Sequence, residues 1–576
     1  MEASLILGLL CALILILISN RMRPAMAFVL AATVCLFAGW IEPDKLLQNY
    51  SNETLVGLIL LLQVSTVLEK THLLPYLSRK LIRKGSLAGT LFRISGTTMI
   101  LSSILNNTAV VAAFMGMIRQ NNHFQPSRLL IPLSYAAIMG GVMTLIGTST
   151  NLIINSFVIE AGLESIGFFD FIYIGLPLGV FGIFYLMIAA PKFLPEKGRV
   201  TNVQNGHYFL EADILDGSKL IGKTVTANGM RQMDYLFLAE IIRGDRLISP
   251  VTPEEVLQEG DSLVFTGDVS QIQELRKFDG LDLHSGFDGV LKSNLQEVVI
   301  RHNAPIIGRK VKDTQFRTKF DAVIVAVRRG ENRLLGKIGE MMLQPGDNLV
   351  LAVGTEFEKH ANLRRNFIFL SDIEVSDLIP PRQGWLVVGL FLLGILLTAA
   401  GLCSLFQSML GLMITYLGLG FLKLKHLKNN MNVSLLLMIG SSLGLAQVMS
   451  SYGVDTLISN FILGLTGTSS PWLALVGIYL GSVVVTELVT NNAAAALMFP
   501  IALATSQTLG VSHLPFVMAI AYGASASFLT PVGYQTNTMV LSIGKYRFSD
   551  YLKMGFGLSV LYGVVVVWLL PYFFPF

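Results

Sequence analysis

Two short polar segments stand 384 residues apart in apolar surroundings: Ser102-x3-Asn106-Asn107-Thr108-Ala109 and Thr486-x3-Thr490-Asn491-Asn492-Ala493. A second pair follows at an offset of 386: Thr144-x2-Gly147-Thr148-x-Thr150-Asn151 and Thr530-x2-Gly533-x2-Thr536-Asn537. Uncharged amides and hydroxyls inside lipid-facing sequence are costly to bury unless they bind something. Amide and hydroxyl oxygens, joined by carbonyls at the broken end of a helix, suit a small hard cation such as sodium. Free N–H groups at the start of the next helix suit an oxyanion. Single polar residues in membrane helices often only hold helices together. A set duplicated in matching halves points instead to one symmetric site inside a membrane transporter.

The elements that must position these residues are apolar helices. The 576 residues are 52% hydrophobic and 14% charged, a polytopic membrane profile, and the small net charge of +4 argues against a nucleic-acid partner. The cysteines, Cys11, Cys35 and Cys403, fall in or beside apolar stretches and suggest neither a disulfide framework nor a metal site. The first apolar run, 4–20, is followed by Arg21 and Arg23 and lacks a basic lead-in and a small-residue cleavage site, so it reads as a retained span. Crossings are expected at 4–20, 25–41, 54–69, 130–156 and 170–190, then at 384–400, 404–421, 432–449, 514–543 and 554–574. Each is near the ~20 residues that cross ~30 Å of hydrocarbon. Two further apolar segments, 87–118 and 471–507, hold the Asn-Asn pairs at their centres and read as re-entrant hairpins with arms too short to cross singly.

Loop charges set the orientation. Arg21, Arg23, the basic residues from Lys70 to Lys84, Arg119, Arg128, Lys192 to Arg199, Lys423 to Lys428, Lys545, Arg547 and Lys553 fall on one side. Glu42, Asp44, Glu53, Glu160, Glu164 and Asp455 fall on the other, with Lys45 the lone basic residue. The positive-inside rule puts both termini outside and residues 200–372 in the cytoplasm. Trp40, Trp385, Trp472 and Trp568 lie near segment ends, as interfacial anchors do. Five crossings per half is odd, so the second half runs upside down. The two tips then meet near the midplane from opposite faces, an inverted 5+5 repeat.

Between about 200 and 372 the sequence becomes charged, with short β-branched strands and Gly-Asp turns. It repeats at a constant offset of 86: Gly222-Lys223-Thr224-Val225 matches Gly308-Arg309-Lys310-Val311, Arg243-Gly244 matches Arg329-Gly330, and Gly260-Asp261 matches Gly346-Asp347. A gapless offset over this length marks two copies of a small α+β unit, at 206–286 and 292–372, between membrane halves 1–199 and 380–576. Each copy resembles the TrkA-C lobe (RCK C-terminal domain) of potassium-conductance regulators. That resemblance implies dimerisation and a small regulatory ligand, such as a cyclic dinucleotide.

The paired tips look like those of the divalent-anion:sodium symporter (DASS) family, in its sulfate-permease-like branch with two TrkA-C inserts. The resemblance implies one sodium at Ser102, Asn106, Asn107 and Gly147, and a second at Thr486, Thr490, Asn491 and Gly533. It places the anion between Asn107-Thr108 and Asn491-Asn492, beside Thr148. It further implies a homodimer in the bacterial inner membrane, with sodium as coupling ion and no other cofactor. The sequence departs from the family in having Asn106 where the first tip usually has serine and Asn492 where the second usually has threonine. The dicarboxylate members' Thr-Pro-Pro-Asn is here Thr148-Ser149-Thr150-Asn151, and Tyr534-Gln535-Thr536-Asn537 in the second half. Tyr534 and Gln535 crowd the pocket toward a compact tetrahedral anion. The reading is a carrier rather than an enzyme: a sodium-coupled transporter of a small divalent anion, sulfate foremost. Its rivals are a dicarboxylate/sodium symporter, a sodium/proton or arsenite-type carrier, and an anion sensor that no longer transports.

Three other features weigh in. Glu487, the one acid deep in an apolar run, reads either as a proton or cation ligand or as a hydrogen-bonded scaffold group; the second is favoured because its counterpart is Ser103. Gly217-Ser218-Lys219-Leu220-Ile221-Gly222-Lys223-Thr224 fits the Walker A pattern, but the repeat copy loses it and no long helix is expected after it. No histidine lies within an expected crossing, which argues against a histidine proton relay.

Overall fold

A computed structural model describes residues 2–576 except 20–21, 72–84, 121–122, 195, 197–208, 232, 234–235, 245, 249–250, 268–274, 276, 284–294, 303, 331, 335–337, 355, 358–359, 361, 370–378, 424–426, 428–432 and 467–469. The outer edges of the two repeat units and the basic residues at 72–84, 197–199, 425 and 428 lie outside the described residues.

The N-terminal part contributes α1 (Glu2–Ser19), α2 (Pro24–Phe37), α3 (Pro43–Tyr50), α4 (Glu53–Glu69), α5 (Leu87–Ser102), α6 (Asn107–Gln120), α7 (Pro126–Gly141), α8 (Ser149–Glu160) and α9 (Ile172–Phe193). The C-terminal part contributes α10 (Pro381–Ala399), α11 (Leu405–Gly418), α12 (Val433–Ser451), α13 (Val454–Thr466), α14 (Pro471–Leu488), α15 (Asn491–Leu509), α16 (Leu514–Ser525), α17 (Gln535–Ile543) and α18 (Phe548–Phe573). Seven helical stretches among the described residues are long and apolar enough to span a bilayer: 2–19, 43–69, 172–193, 381–399, 433–451, 471–488 and 548–573. Their outer faces stay apolar in the folded chain. Ile188 is 74% and Trp568 75% exposed, as on a lipid-facing rather than a water-facing surface.

The expected crossings at 130–156 and 514–543 are each two short helices, α7–α8 and α16–α17, interrupted at 142–148 and 526–534. Glycine and proline explain the interruptions. Gly140 and Gly141 end α7, while Pro531 supplies no N–H to continue a helix after α16. One expectation is corrected. With 18 residues, α14 has the length to cross alone, so the arms at 471–507 are not half-length.

Helix packing repeats with the two parts exchanged. Helix α5 packs on α7 as α14 does on α16, and α6 on α17 as α15 does on α8. Likewise α2 meets α12 while α4 meets α11, and α9 meets α18. The close helix contacts need small residues: a Cβ on Gly140 would strike the Met99 carbonyl, and one on Gly523 would come within 2.8 Å of Ser482 Cβ.

The insert folds as two antiparallel sheets. In the first, β1 (Phe209–Ile214), β2 (Leu236–Arg243), β3 (Arg246–Ile248), β4 (Asp261–Gly267) and β5 (Leu281–Leu283) lie in the order β3-β2-β4-β1-β5. The second holds β6 (Leu295–Ile300), β7 (Ala322–Arg329), β8 (Asn332–Leu334), β9 (Asn348–Val353) and β10 (Phe367–Phe369) in the equivalent order β8-β7-β9-β6-β10. Even the bulges match, at Leu238/Glu240 and Ile324/Ala326. The repeated Arg-Gly and Gly-Asp pairs now have a cause. Arg243 Nε donates to Asp261 Oδ1 and Arg329 Nε to Asp347 Oδ1, both at 2.7 Å, and each aspartate also accepts the backbone N–H of residue 258 or 344 at 2.8 Å. Both aspartates are fully buried, and an ion pair so enclosed is strongly destabilising to break from one side. The Walker-like run ends in turns with no helix after Thr224 among the described residues, on a sheet without parallel strands.

Candidate functional site

Each polar tip is a helix end facing a helix start. Helix α5 stops at Ser102, and Asn106 caps α6 by accepting the Thr108 N–H at 2.9 Å. In the second part α14 stops at Leu488 and α15 begins at Asn491 after Thr490. Buried Ser102 offers a hydroxyl oxygen, and buried Asn107 an Oδ1, with no hydrogen-bond partner among the described residues. Such orphaned oxygens at the carbonyl end of a helix are what a small cation requires of its ligands. Thr486 sits differently, although it occupies the position equivalent to Ser102. Its hydroxyl donates to the Ala524 carbonyl at 2.6 Å and lies 3.1 Å from Asn491 Oδ1, with Ser527 Oγ 3.3 Å from that same amide oxygen.

The breaks between paired helices are built alike. Gly147 N donates to Thr144 Oγ1 at 3.1 Å and Gly533 N to Thr530 Oγ1 at 2.9 Å. Asn151 Nδ2 donates to the Thr144 carbonyl at 2.9 Å, and Asn537 Nδ2 to the Thr530 carbonyl at 3.2 Å. So the last Asn of each motif holds its own loop in shape, with Thr and Gly closing the turn. Gly147 is sterically required, since a Cβ there would lie 2.5 Å from the Gly141 carbonyl oxygen; one on Gly533 would lie 2.9 Å from Glu487 Oε2, the movable end of a side chain.

Tips and breaks then meet crosswise. Asn107 Nδ2 donates to the Tyr534 hydroxyl at 2.7 Å, and Thr108 Oγ1 lies 3.3 Å from Gln535 Oε1. From the other side, Ser149 and Thr150 donate to Asn492 Oδ1 at 3.2 and 3.1 Å. The structure thus joins Asn107, Thr108 and Tyr534 in one cluster, and brings Asn492 to the helix start beside buried Thr148. Asn106 is exposed, and Thr490 is half-buried.

Gln535 joins the cluster, as expected of a residue crowding the pocket. Ser149, Thr150 and Ser527 join it without having been singled out, the first two lying in a quoted motif whose helical phase the sequence leaves open. Gly141 touches Asn107: a Cβ there would come within 2.6 Å of Nδ2. Glu487 Oε1 accepts the Leu529 N–H at 2.8 Å, tying the second tip to the α16–α17 break. Three or more His, Cys, Asp or Glu able to hold a metal ion do not come together anywhere among the described residues.

Comparison with known proteins gives this arrangement its family. An uncharacterized transporter of Synechocystis is 28% identical over 92% of this chain and 91% of its own length. A Chlamydomonas reinhardtii protein provisionally named a sulfur deprivation response regulator is 28% identical over 93% of this chain and 96% of its own length. Sodium/sulfate cotransporter 2 of Chlamydomonas reinhardtii is 29% identical over 65% of this chain, which spans only 44% of that longer protein. The model of the citrate transporter family, CitMHS, matches residues 13–511 and, overlapping them, 390–576. With nearly the whole length matched and apolar helices carrying the crossed tips, the chain belongs to the CitMHS family of multi-pass membrane transporters.

Proposed function

We propose that the protein is a sodium-coupled carrier of a small divalent anion, sulfate foremost. The observation that carries this reading is the crossed pair of tips: Ser102 and Asn107 oxygens stand unpartnered among the described residues, Asn107 at the start of α6 meets Tyr534 at the start of α17, and Asn492 at the start of α15 meets Ser149 and Thr150 at the start of α8. Ser102, Asn106, Asn107 and Gly147 hold one sodium; Thr486, Thr490, Asn491 and Gly533 hold the other. Asn107, Thr108, Thr148, Asn491, Asn492 and Tyr534 line the anion's place, where helix N-termini offer positive dipole ends. The sodium/sulfate name of one relative supports the choice of ion and substrate.

In this reading the halves form an inverted 5+5 repeat whose tips, at 87–118 and 471–507, meet from opposite faces near the midplane. The exchanged helix contacts support such a twofold relation. Helices α5–α9 and α14–α18 move against a scaffold of α1, α2, α4, α10, α11 and α12, through which two copies pair in the inner membrane. The equivalent sheets of 206–286 and 292–372 are two cytoplasmic TrkA-C-like lobes that gate transport on binding a small ligand.

Sodium-driven uptake of radiolabelled sulfate into proteoliposomes tests the proposal. Uptake should require a sodium gradient and collapse in Asn107→Ala and Asn491→Ala; preference for succinate over sulfate would overturn the anion assignment. A second reading, a sensor without flux, is favoured by the regulator name of another relative. It requires sodium-dependent sulfate binding with no uptake.

A further inference from the structure

The two lobes share a fold, yet among the described residues only the second grips the helices of the crossed site. In the second lobe, the Gly330 N–H donates to Ser542 Oγ at 3.0 Å, and that hydroxyl donates to the Gly346 carbonyl at 2.7 Å. Ser542 lies near the end of α17, whose first residue is Gln535 at the site. On the same lobe Glu297 of β6 pairs with Arg119 near the end of α6, whose first residue is Asn107, and its other oxygen accepts from Asn348 Nδ2 at 2.7 Å. One rigid sheet therefore holds the far ends of the two helices whose near ends make the Asn107–Tyr534 contact. By helix rise the lever arms are about 10 Å along α17 and about 18 Å along α6.

The same lobe also reaches the other body. Val299 and Ile368, on its paired strands β6 and β10, pack into the core of the membrane helices. The chain leaving the lobe toward α10 is held to α4: the Ile379 N–H donates to the carbonyl of Lys70, the residue that follows α4, at 3.0 Å. Helices α6 and α17 belong to the part proposed to move, and α4 to the part proposed to stay. The lobe, through Glu297 and through its exit at Ile379, thus touches both.

The contact is specific to one copy. Gly346 has φ +77° and lies so close to α17 that a Cβ would sit 2.6 Å from the Thr538 carbonyl oxygen. Its counterpart Gly260 has φ +76° and nothing within 4 Å. Gly330 and Gly244 differ in the same way: a Cβ on the first would be 3.3 Å from the Tyr546 carbonyl oxygen, while the second faces open space. The backbone demand for glycine is equal in both lobes, but only the second lobe uses it to approach a helix.

From this we propose that the second lobe is an inhibitory latch, tying α6 and α17 to the scaffold so that the site helices move only when the lobe lets go. This rests on the moving-part and scaffold division in the proposed function. The paired glycines supply the test. Gly346→Ala imposes backbone strain and a clash with α17; Gly260→Ala imposes the same strain with no clash. In full-length protein in proteoliposomes, sodium-driven sulfate uptake by Gly346→Ala should rise by about threefold or more, as expected of releasing a state held by a modest bias, while Gly260→Ala stays at the wild-type rate. In a background where Cys11, Cys35 and Cys403 are serine, a disulfide between Gly330→Cys and Ser542→Cys should cut uptake below about a tenth, with recovery on reduction. Equal rates for oxidised and reduced protein, or a Gly346→Ala variant no faster than Gly260→Ala, would overturn the latch. If wild type moves no sulfate, the substrate assignment fails separately. The latch is then read by adding Asn106→Cys to the oxidised Gly330→Cys/Ser542→Cys protein and, as reference, to the background without that pair, and labelling this free thiol by an impermeant reagent from each face. The locked pair should confine labelling to one face, and unchanged two-sided labelling would overturn it.

Discussion

Thr108 Oγ1 lies 3.3 Å from Gln535 Oε1, and the matching positions in the other halves, Asn492 and Ser149, are joined at 3.2 Å. The offsets of 384 and 386 that relate the sequence motifs convert one contact into the other. Each tip therefore rests on the helix start of the opposite half, and neither half alone builds the cluster.

The two contacts should not weigh equally. Asn492 Oδ1 accepts from both Ser149 and Thr150, whereas Thr108 makes one longer contact. Asn492→Ala leaves the half-buried Ser149 and buried Thr150 hydroxyls without that acceptor, a loss of about 1–2 kcal/mol, or about tenfold in initial rate of sulfate uptake. Thr108→Val should cost about threefold or less, since one weak bond is lost. The reverse ranking in proteoliposome rates would contradict the geometry.

Ser102 and Thr486 are equivalent in sequence but not in bonding, and this separates an ion-ligand role from a structural one. The Ser102 hydroxyl bonds no described residue, so Ser102→Ala should shift thermal stability by no more than about 0.5 kcal/mol. It should instead raise the sodium concentration for half-maximal uptake by about tenfold. Thr486→Val removes the bond to the Ala524 carbonyl and the contact with Asn491, and should lower stability by about 1–2 kcal/mol as well. Melting temperatures and sodium titrations on the same preparations check both.

Tyr534 places its hydroxyl where the dicarboxylate members' pattern has threonine. In Tyr534→Phe the Asn107 amide loses its acceptor at 2.7 Å, so the first tip loosens while the ring still fills the space. Sulfate half-saturation should rise by about fivefold to tenfold with the maximal rate largely kept. Tyr534→Ala, which also opens the space, should admit succinate. Competition of each dianion against labelled sulfate reads this directly.

The sequence displays the duplicated motifs, the 86-residue repeat and the apolar helices, because each rests on residue types recurring at fixed spacing. Those regularities survive as the crossed tips, the equivalent sheets and the exchanged helix contacts. What it conceals depends on helical phase and three-dimensional approach. Gly141 is an ordinary glycine in an apolar run until its Cα is seen against Asn107 Nδ2. Ser527 lies outside both quoted motifs, and only the course of the α16–α17 break brings it to Asn491. Docking of the second lobe on Ser542 has no signature either, since Gly244 and Gly330 look identical in the repeat. The length of α14 is hidden because an Asn-Asn tip at the centre of 471–507 reads as the turn of two short arms, whereas nothing between Pro471 and Leu488 breaks the helix and it runs 18 residues.

Glu487 decides between sodium-coupled symport and proton antiport. Its Oε1 accepts the Leu529 N–H, a bond that an amide oxygen in the same place also accepts, while its Oε2 meets no hydrogen-bond partner among the described residues. If the side chain serves to hold the α16–α17 break against the second tip, Glu487→Gln keeps the acceptor and should transport within about threefold of wild type. Glu487→Ala leaves the Leu529 N–H unpaired in a buried loop and should cost about 1–3 kcal/mol of stability, seen as a lower melting temperature and slower uptake. A proton carrier reverses this order of importance: there the charge matters and the shape does not. Glu487→Gln would then abolish flux, or erase its dependence on pH, in protein that melts like wild type. Uptake at two pH values beside a melting curve separates the cases, because loss of the carboxylate without loss of the acceptor occurs only in the glutamine variant.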